Sequence, residues 1–130
     1  MTELVPPAGT VSDRLWQRAQ RVLPGGVTAA ARIHAAMGRP MLVQRARGGR
    51  IWDVDGREYV DLNMSFGASL LGHGHPAIVE AITRAAELGI MCGYESEAQT
   101  RLAEVIPSAD LVRFAGYGTE TTWHALRTAR

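Results

Sequence analysis

The stretch that most constrains this chain is Leu111-Val112-Arg113-Phe114-Ala115, followed by Gly116-Tyr117-Gly118-Thr119-Glu120. Five mostly apolar residues, with Val and Phe among them, predict a short strand buried on both faces. Such a strand needs neighbours on both edges and cover on both faces, and no second run of this kind occurs in the sequence. The chain therefore reads as the front of a larger α/β protein. The two glycines break the strand, and Thr121 to Arg130 predict the start of a helix. A strand, a glycine turn and a helix N-terminus together can hold a phosphate, because free backbone N–H groups and the helix dipole both favour an anion there. Gly118 lets backbone approach a ligand closely, and Thr119 adds a hydroxyl donor. Most junctions of this type bind nothing, so the signal gains its weight from what precedes it.

Nearly half of the 130 residues are apolar (46%) and the net charge is +1, so nothing calls for nucleic acid. Cys92 is the only cysteine, which excludes an internal disulfide and suits a reducing compartment. No apolar run reaches the roughly 20 residues of a membrane span. The first residues have neither the basic nor the apolar region of a signal peptide, so the expected location is the cytoplasm. All fourteen basic residues are arginine. Without a lysine, nothing here except the N-terminal amine can form an imine with a carbonyl cofactor.

Residues 1–12, with Pro6-Pro7 and Gly9, are expected to be a flexible leader. Ser12 reads as the N-cap of an amphipathic helix from Asp13 to Leu23, which Pro24-Gly25-Gly26 ends. The following loop, Val27 to Arg39, carries Arg32 and His34; a lone loop arginine is ordinarily a solvated surface residue. Met41 to Leu62 predict an antiparallel meander: a strand at Met41–Val43, a Gly48-Gly49 turn, a strand at Arg50–Val54, a type I′ turn at Asp55-Gly56, and a third strand at Glu58–Leu62. Asp53, Asp55 and Asp61 do not match the spacing of the twelve-residue calcium loop, so they are read as turn and strand-edge residues. His73 and His75 stand two apart but lack further ligands nearby, so a tight turn is preferred to a metal site. Pro76 then opens a helix with Gly89 as its C′ residue. Ser96-Glu97-Ala98-Gln99 fits a capping box, and Pro107 stops the helix it opens.

These pieces, in this order, resemble the class III aminotransferases. The resemblance rests on Leu23-Pro24-Gly25-Gly26-Val27, Arg32, the run Gly49 to Asp61 with its Trp52-Asp53 hairpin, Leu71-Gly72-His73-Gly74-His75-Pro76, and Val112-Arg113-Phe114 leading to Gly118-Thr119-Glu120. Within the class, the glutamate-1-semialdehyde 2,1-aminomutase branch is the most similar. The resemblance implies an α/β protein of fold type I, the pyridoxal-phosphate-dependent transferases. Residues 13–110 would be an N-terminal helix and small-domain segment with the meander, and residues 111–130 the start of the large, cofactor-binding domain. It implies pyridoxal 5'-phosphate as cofactor, with Gly118, Thr119 and Tyr117 at its phosphate. Tyr117 stands where the family usually has serine, and Gly116 where it usually has asparagine. Arg32 matches the arginine that reaches the substrate carboxylate in aminomutases, a task suited to a bidentate guanidinium. Ala29 replaces a common serine, and Phe66 a common tryptophan near the cofactor; both changes point to a different substrate preference.

The implied whole enzyme moves an amino group between small-molecule donors and acceptors and works as a homodimer, with no nucleic-acid or membrane partner. The lysine that would hold the cofactor lies far beyond position 130 in the family, so the 130-residue chain is expected to be inactive alone. The competing reading is a catalytically inactive truncated product or a small interaction protein.

Overall fold

The computed structural model describes residues 7–89 and 93–130. Residues 1–6 of the expected leader, and Cys92, lie outside the described residues, and its last two residues, Val11 and Ser12, are helical rather than part of a leader. The described contacts divide the chain into two units, the first ending at Glu87 and the second beginning at Leu88.

In the first unit, helix α1 spans Val11–Val22. Its N-cap is Thr10, not Ser12: the Thr10 hydroxyl accepts the N–H of Asp13 (3.2 Å). Ser12 is instead buried inside the first turn, and its own N–H is given to Asp55 Oδ1 (3.2 Å), which ties the helix to the meander. That contact holds the Asp55 carboxyl below its ordinary range, chiefly through the Ser12 side chain. Pro24–Gly26 then form a single 3-10 turn. Gly26 has φ 71°, and a Cβ built on it would lie 2.4 Å from the Trp16 ring, so only glycine lets the chain turn back over that indole.

Three antiparallel strands follow in the order β1-β2-β3: β1 (Val43–Arg47), β2 (Arg50–Asp53) and β3 (Glu58–Val60). The meander is present as expected, but β1 starts two residues later than the apolar run Met41–Val43. A register irregularity between Val43 and Arg45 carries the ladder on through polar residues, with Arg45 opposite Trp52 and Arg47 opposite Arg50. Arg45 covers one face of Trp52, 4.0 Å from the ring centroid, and Trp52 Nε1 donates to Glu58 (3.1 Å). Hydropathy marks burial, whereas cross-strand pairs of this kind hold an exposed hairpin.

The β2–β3 turn is not type I′, which would need positive φ at both Asp55 and Gly56. Only Gly56 has it (φ 85°). Gly56 N–H donates to Asp53 O (3.1 Å), and Asp53 N–H to Arg57 O (3.0 Å), so the loop is the three-residue kind, Val54-Asp55-Gly56. Asp53, buried at the end of β2, fixes it: Oδ1 accepts the N–H groups of Asp55 (3.0 Å) and Arg57 (2.8 Å), and Oδ2 accepts the Tyr59 hydroxyl (2.9 Å). Burial and this carboxylate push the Tyr59 phenol above its ordinary value.

Helix α2 (Pro76–Glu87) begins at Pro76 as expected, and Gly89 follows its end at φ 93°. Every residue of α2 is exposed, Ile78, Val79 and Ile82 included.

In the second unit, α3 spans Glu97–Glu104, with the Ser96 N–H donating to Gln99 Oε1 (2.8 Å) as a capping box requires. Leu111–Ala115 is not a strand. It has no ladder partner among the described residues, and Leu111 is 93% exposed. The reason is the one that made the stretch informative: backbone groups pair in a sheet only where a second strand exists. Helix α4 (Gly118–Thr128) begins at Gly118, three residues before the expected start, with Tyr117 as N-cap.

Among the described residues no apolar side chain is fully buried, and no helix is long and apolar enough to cross a membrane. No group of three or more His, Cys, Asp or Glu among them is placed to hold a metal ion.

Candidate functional site

The sequence singled out four residues, and the structure places them in two settings. Tyr117, Gly118 and Thr119 share one turn at the start of α4 in the second unit. Arg32 lies in the first unit.

At the start of α4, Tyr117 is extended (φ −162°, ψ 162°), and Gly118 and Thr119 are the first two helical residues. The first helical bond runs from Thr121 N–H to Tyr117 O (3.1 Å), so the N–H groups of Gly118, Thr119 and Glu120 precede the ladder. A Cβ on Gly118 would meet nothing within 4 Å among the described residues. The Tyr117 hydroxyl does not cap the helix, and its side chain is 72% exposed. Free N–H groups at a helix N-terminus are the kind of donor that an anion can meet, and Thr119, the second helical residue, carries a hydroxyl.

Sequence reasoning did not single out Glu120 as a partner here. Its Oε2 accepts the N–H of Gly116 (3.0 Å), and Oε1 lies 3.5 Å from His124 Nε2. The Gly116 N–H, and secondarily His124, hold the Glu120 carboxyl below its ordinary 4.5. This carboxylate ties the glycine turn, at Gly116, to the first turn of α4.

Arg32 closes a short 3-10 turn, Ala30–Arg32, and its Nη1 donates to the Thr28 hydroxyl (2.5 Å). It opens on a cleft of about 710 Å³ whose walls include Leu15, Val27, Met41, Leu42, Asn63 and Phe66. A guanidinium among apolar lining residues is of a type that can pair with a carboxylate on a carbon chain.

The wall that carries Asn63 and Phe66 is unusual. Met64, Ser65 and Phe66 all have positive φ (48°, 57° and 56°), and Gly67 follows at 84°. A left-handed conformation costs roughly 1–2 kcal/mol for each residue with a side chain, so something must hold the run in place. Asp61 Oδ1 accepts the N–H groups of Asn63 and Met64 (2.9 Å each), and Asn63 Oδ1 accepts that of Phe66 (2.8 Å). Asp61 Oδ2 lies 2.7 Å from His73 Nε2. His73 is in turn anchored through its backbone: Gly48 N–H donates to His73 O (2.8 Å) and His73 N–H to Gly48 O (2.9 Å). The His73 bond and the two backbone N–H groups hold the Asp61 carboxyl below its ordinary 3.8. His73 therefore serves this turn, through a partner that was not legible in the sequence.

The helices and the small three-stranded antiparallel sheet of the described residues are those of an N-terminal part of fold type I, the pyridoxal-phosphate-dependent transferases. The profile of the class III aminotransferases matches residues 32–130, and the chain belongs to that family. The glutamate-1-semialdehyde 2,1-aminomutase of Polaromonas naphthalenivorans is 42% identical over 99% of this chain and 30% of its own length. An omega-transaminase from Sphaerobacter thermophilus superposes with a TM-score of 0.86 at 36% identity, over 95% of this chain and 28% of its own. A glutamate-1-semialdehyde aminomutase from Pseudomonas aeruginosa does so with a TM-score of 0.65 at 27% identity, over 72% of this chain and 20% of its own. The chain spans about 30% of the length of the curated relatives it matches. The cofactor of the family is pyridoxal 5'-phosphate.

Proposed function

We propose that this chain supplies two binding elements of an amino-group-transferring enzyme of the glutamate-1-semialdehyde aminomutase type. One is the turn that holds the cofactor phosphate; the other is the arginine that holds the substrate carboxylate. Pyridoxal 5'-phosphate, when bound, supplies the carbonyl that accepts the amino group and withdraws electrons from the substrate carbon. Gly118 and Thr119 would hold its phosphate with backbone N–H groups and a hydroxyl, and Tyr117 would flank it. Arg32 would orient the substrate by its carboxylate, and the apolar walls of its cleft would exclude water from the carbon chain. A small-molecule amino donor and acceptor, a homodimeric assembly and a cytoplasmic location complete the reading.

The observation that carries it is the start of α4, where the N–H groups of Gly118, Thr119 and Glu120 precede the helical ladder and a Cβ on Gly118 would meet nothing within 4 Å, as a phosphate-holding turn requires. The test is a titration of the protein expressed from its complete reading frame. Pyridoxal 5'-phosphate is expected to bind at least tenfold tighter than pyridoxal, and the difference is expected to shrink in Thr119→Val. Equal affinity for the two compounds defeats the assignment.

One feature favours a second reading. The chain has no lysine, so it carries no side-chain amine to hold the cofactor covalently. Taken alone it would be a catalytically inactive product or an interaction protein. The DNA directly downstream decides: an open frame encoding a lysine supports the enzyme, and a stop codon supports the alternative.

A further inference from the structure

We infer that Asp61 and His73 are positioning residues for the wall of the Arg32 cleft, acting on the ligand only through the backbone run Met64–Phe66. The inference rests on the reading of Arg32 as a carboxylate-binding residue. Three consecutive residues with side chains do not hold positive φ by local preference, and Met64, Ser65 and Phe66 include no asparagine or glycine that would ease it. The run is held from outside. Asp61 takes the two N–H groups at its start, Asn63 takes that of Phe66, and Gly67 N–H closes the turn on Asn63 O (3.0 Å). Asp61 could adopt other rotamers, but Oδ2 is fixed by His73 Nε2 at 2.7 Å, and both side chains are largely buried, 12% and 19% exposed.

His73 in turn cannot drift, because its backbone is bonded twice to Gly48. Gly72 approaches Gly48 so closely that a Cβ on it would lie 3.1 Å from the Gly48 Cα. The order is therefore hairpin turn, His73, Asp61, Met64–Phe66, cleft wall. Asn63 and Phe66 lie in that wall together with Arg32, while Asp61 and His73 do not. A side chain that never touches the ligand thus sets the shape presented to it.

The test uses the protein expressed from its complete reading frame, with hydrogen exchange read peptide by peptide and 5-aminopentanoate as the carboxylate probe. In His73→Ala, exchange across residues 63–69 is expected to quicken more than tenfold, while α1 exchanges as before, which shows that the protein is folded. Affinity for the probe is expected to fall at least fivefold. His73→Gln retains an N–H donor near the Nε2 position and is expected to restore both readouts; a merely space-filling role for His73 would not predict that rescue. If the probe binds in an Arg32-dependent way and His73→Ala leaves its affinity unchanged, the positioning inference is overturned and the role of Arg32 stands. If the probe does not bind, or binds equally to Arg32→Ala, the carboxylate reading of Arg32 falls and this inference falls with it.

Discussion

The meander over Val43–Val60 and the stretch Leu111–Ala115 both read as strands, yet only the first is one. The meander is the less apolar of the two. Its β1 is largely polar, Val-Gln-Arg-Ala-Arg, and most of its side chains are exposed. What it has is partners within a few residues: Arg45 opposite Trp52, Ile51 opposite Tyr59, and a loop locked by Asp53. Leu111–Ala115 has the stronger hydropathy and no ladder partner among the described residues. Apolar composition states that a segment is to be buried, whereas a strand forms only where a second backbone completes the hydrogen bonds.

Four measurements can break or sharpen this contrast. The largest expected effect is a complete one. Neither region contributes an amine, so the 130-residue chain is expected to show no amino transfer and no protein-bound chromophore with pyridoxal 5'-phosphate beyond that of the N-terminal amine. Turnover of an amino donor by the purified chain would overturn this.

Next is stability. Asp53→Ala strands the N–H groups of Asp55 and Arg57 and the Tyr59 hydroxyl, and hydrogen bonds to a charged group are worth roughly 1.5–3 kcal/mol each. A loss of about 3 kcal/mol is expected in denaturant unfolding. Leu111→Asp, at an exposed and unladdered position, is expected to change stability by less than about 0.5 kcal/mol. Comparable losses at both positions would mean that Leu111 has a partner after all.

The third effect is on ligands, in the protein expressed from its complete frame. Thr119→Val is expected to weaken the cofactor roughly tenfold to a hundredfold, the value of about 1.5–3 kcal/mol for one hydrogen bond to a phosphate. Gly118→Val is expected to weaken it further by blocking close approach of an anion to the backbone, without disturbing α4. Arg32→Ala is expected to spare the cofactor and weaken the substrate. Equal small effects on both ligands would show that the wrong residues were assigned.

The smallest effect is pH dependence. Asp61 in the first unit and Glu120 in the second both have carboxyl groups lowered on folding from 3.8 and 4.5. A lowered carboxyl stabilises the fold above its unfolded value and loses that contribution as pH falls through the folded value. Stability is therefore expected to be flat from neutral pH down to about 5 and to decline below 4.5. Asp61→Asn should flatten the decline in the first unit only. A decline beginning near pH 6.5 would point to histidines instead.

Much of this was legible in the chain, and the misses share one cause. Pro76, Gly89 and the Ser96–Gln99 box were readable because each acts on backbone within a turn of itself. Thr10 was missed as N-cap because Ser12 is an equally good capping residue. What displaced it was a distant contact, the Asp55 carboxylate on its N–H. The β2–β3 turn was misread because Asp-Gly favours type I′ locally, while the buried Asp53 carboxylate imposes the longer loop. The positive-φ run Met64–Phe66 had no local signal, since its causes are Asp61 and a histidine twelve residues further on. Arg32 was reached through resemblance, since spacing alone leaves it a surface arginine; Gly118 and Thr119 were read from the glycine turn and helix start, a weak signal to which the resemblance added weight.

The paired backbone bonds between Gly48 and His73 also have a mechanical meaning. They join two points of the chain across β2, β3 and the Met64–Phe66 run, so that everything from Gly49 to Gly72 hangs as a side loop on a closed bridge. Tension applied along the chain from α1 towards α2 passes through those two bonds and bypasses the loop. The Asp61–His73 contact and the wall it shapes lie inside that loop and are shielded while the bridge holds; once it opens, the β1–β2 ladder and the Ser12–Asp55 bond still retain the β2 end of the loop, so the Met64–Phe66 run is the part set free first.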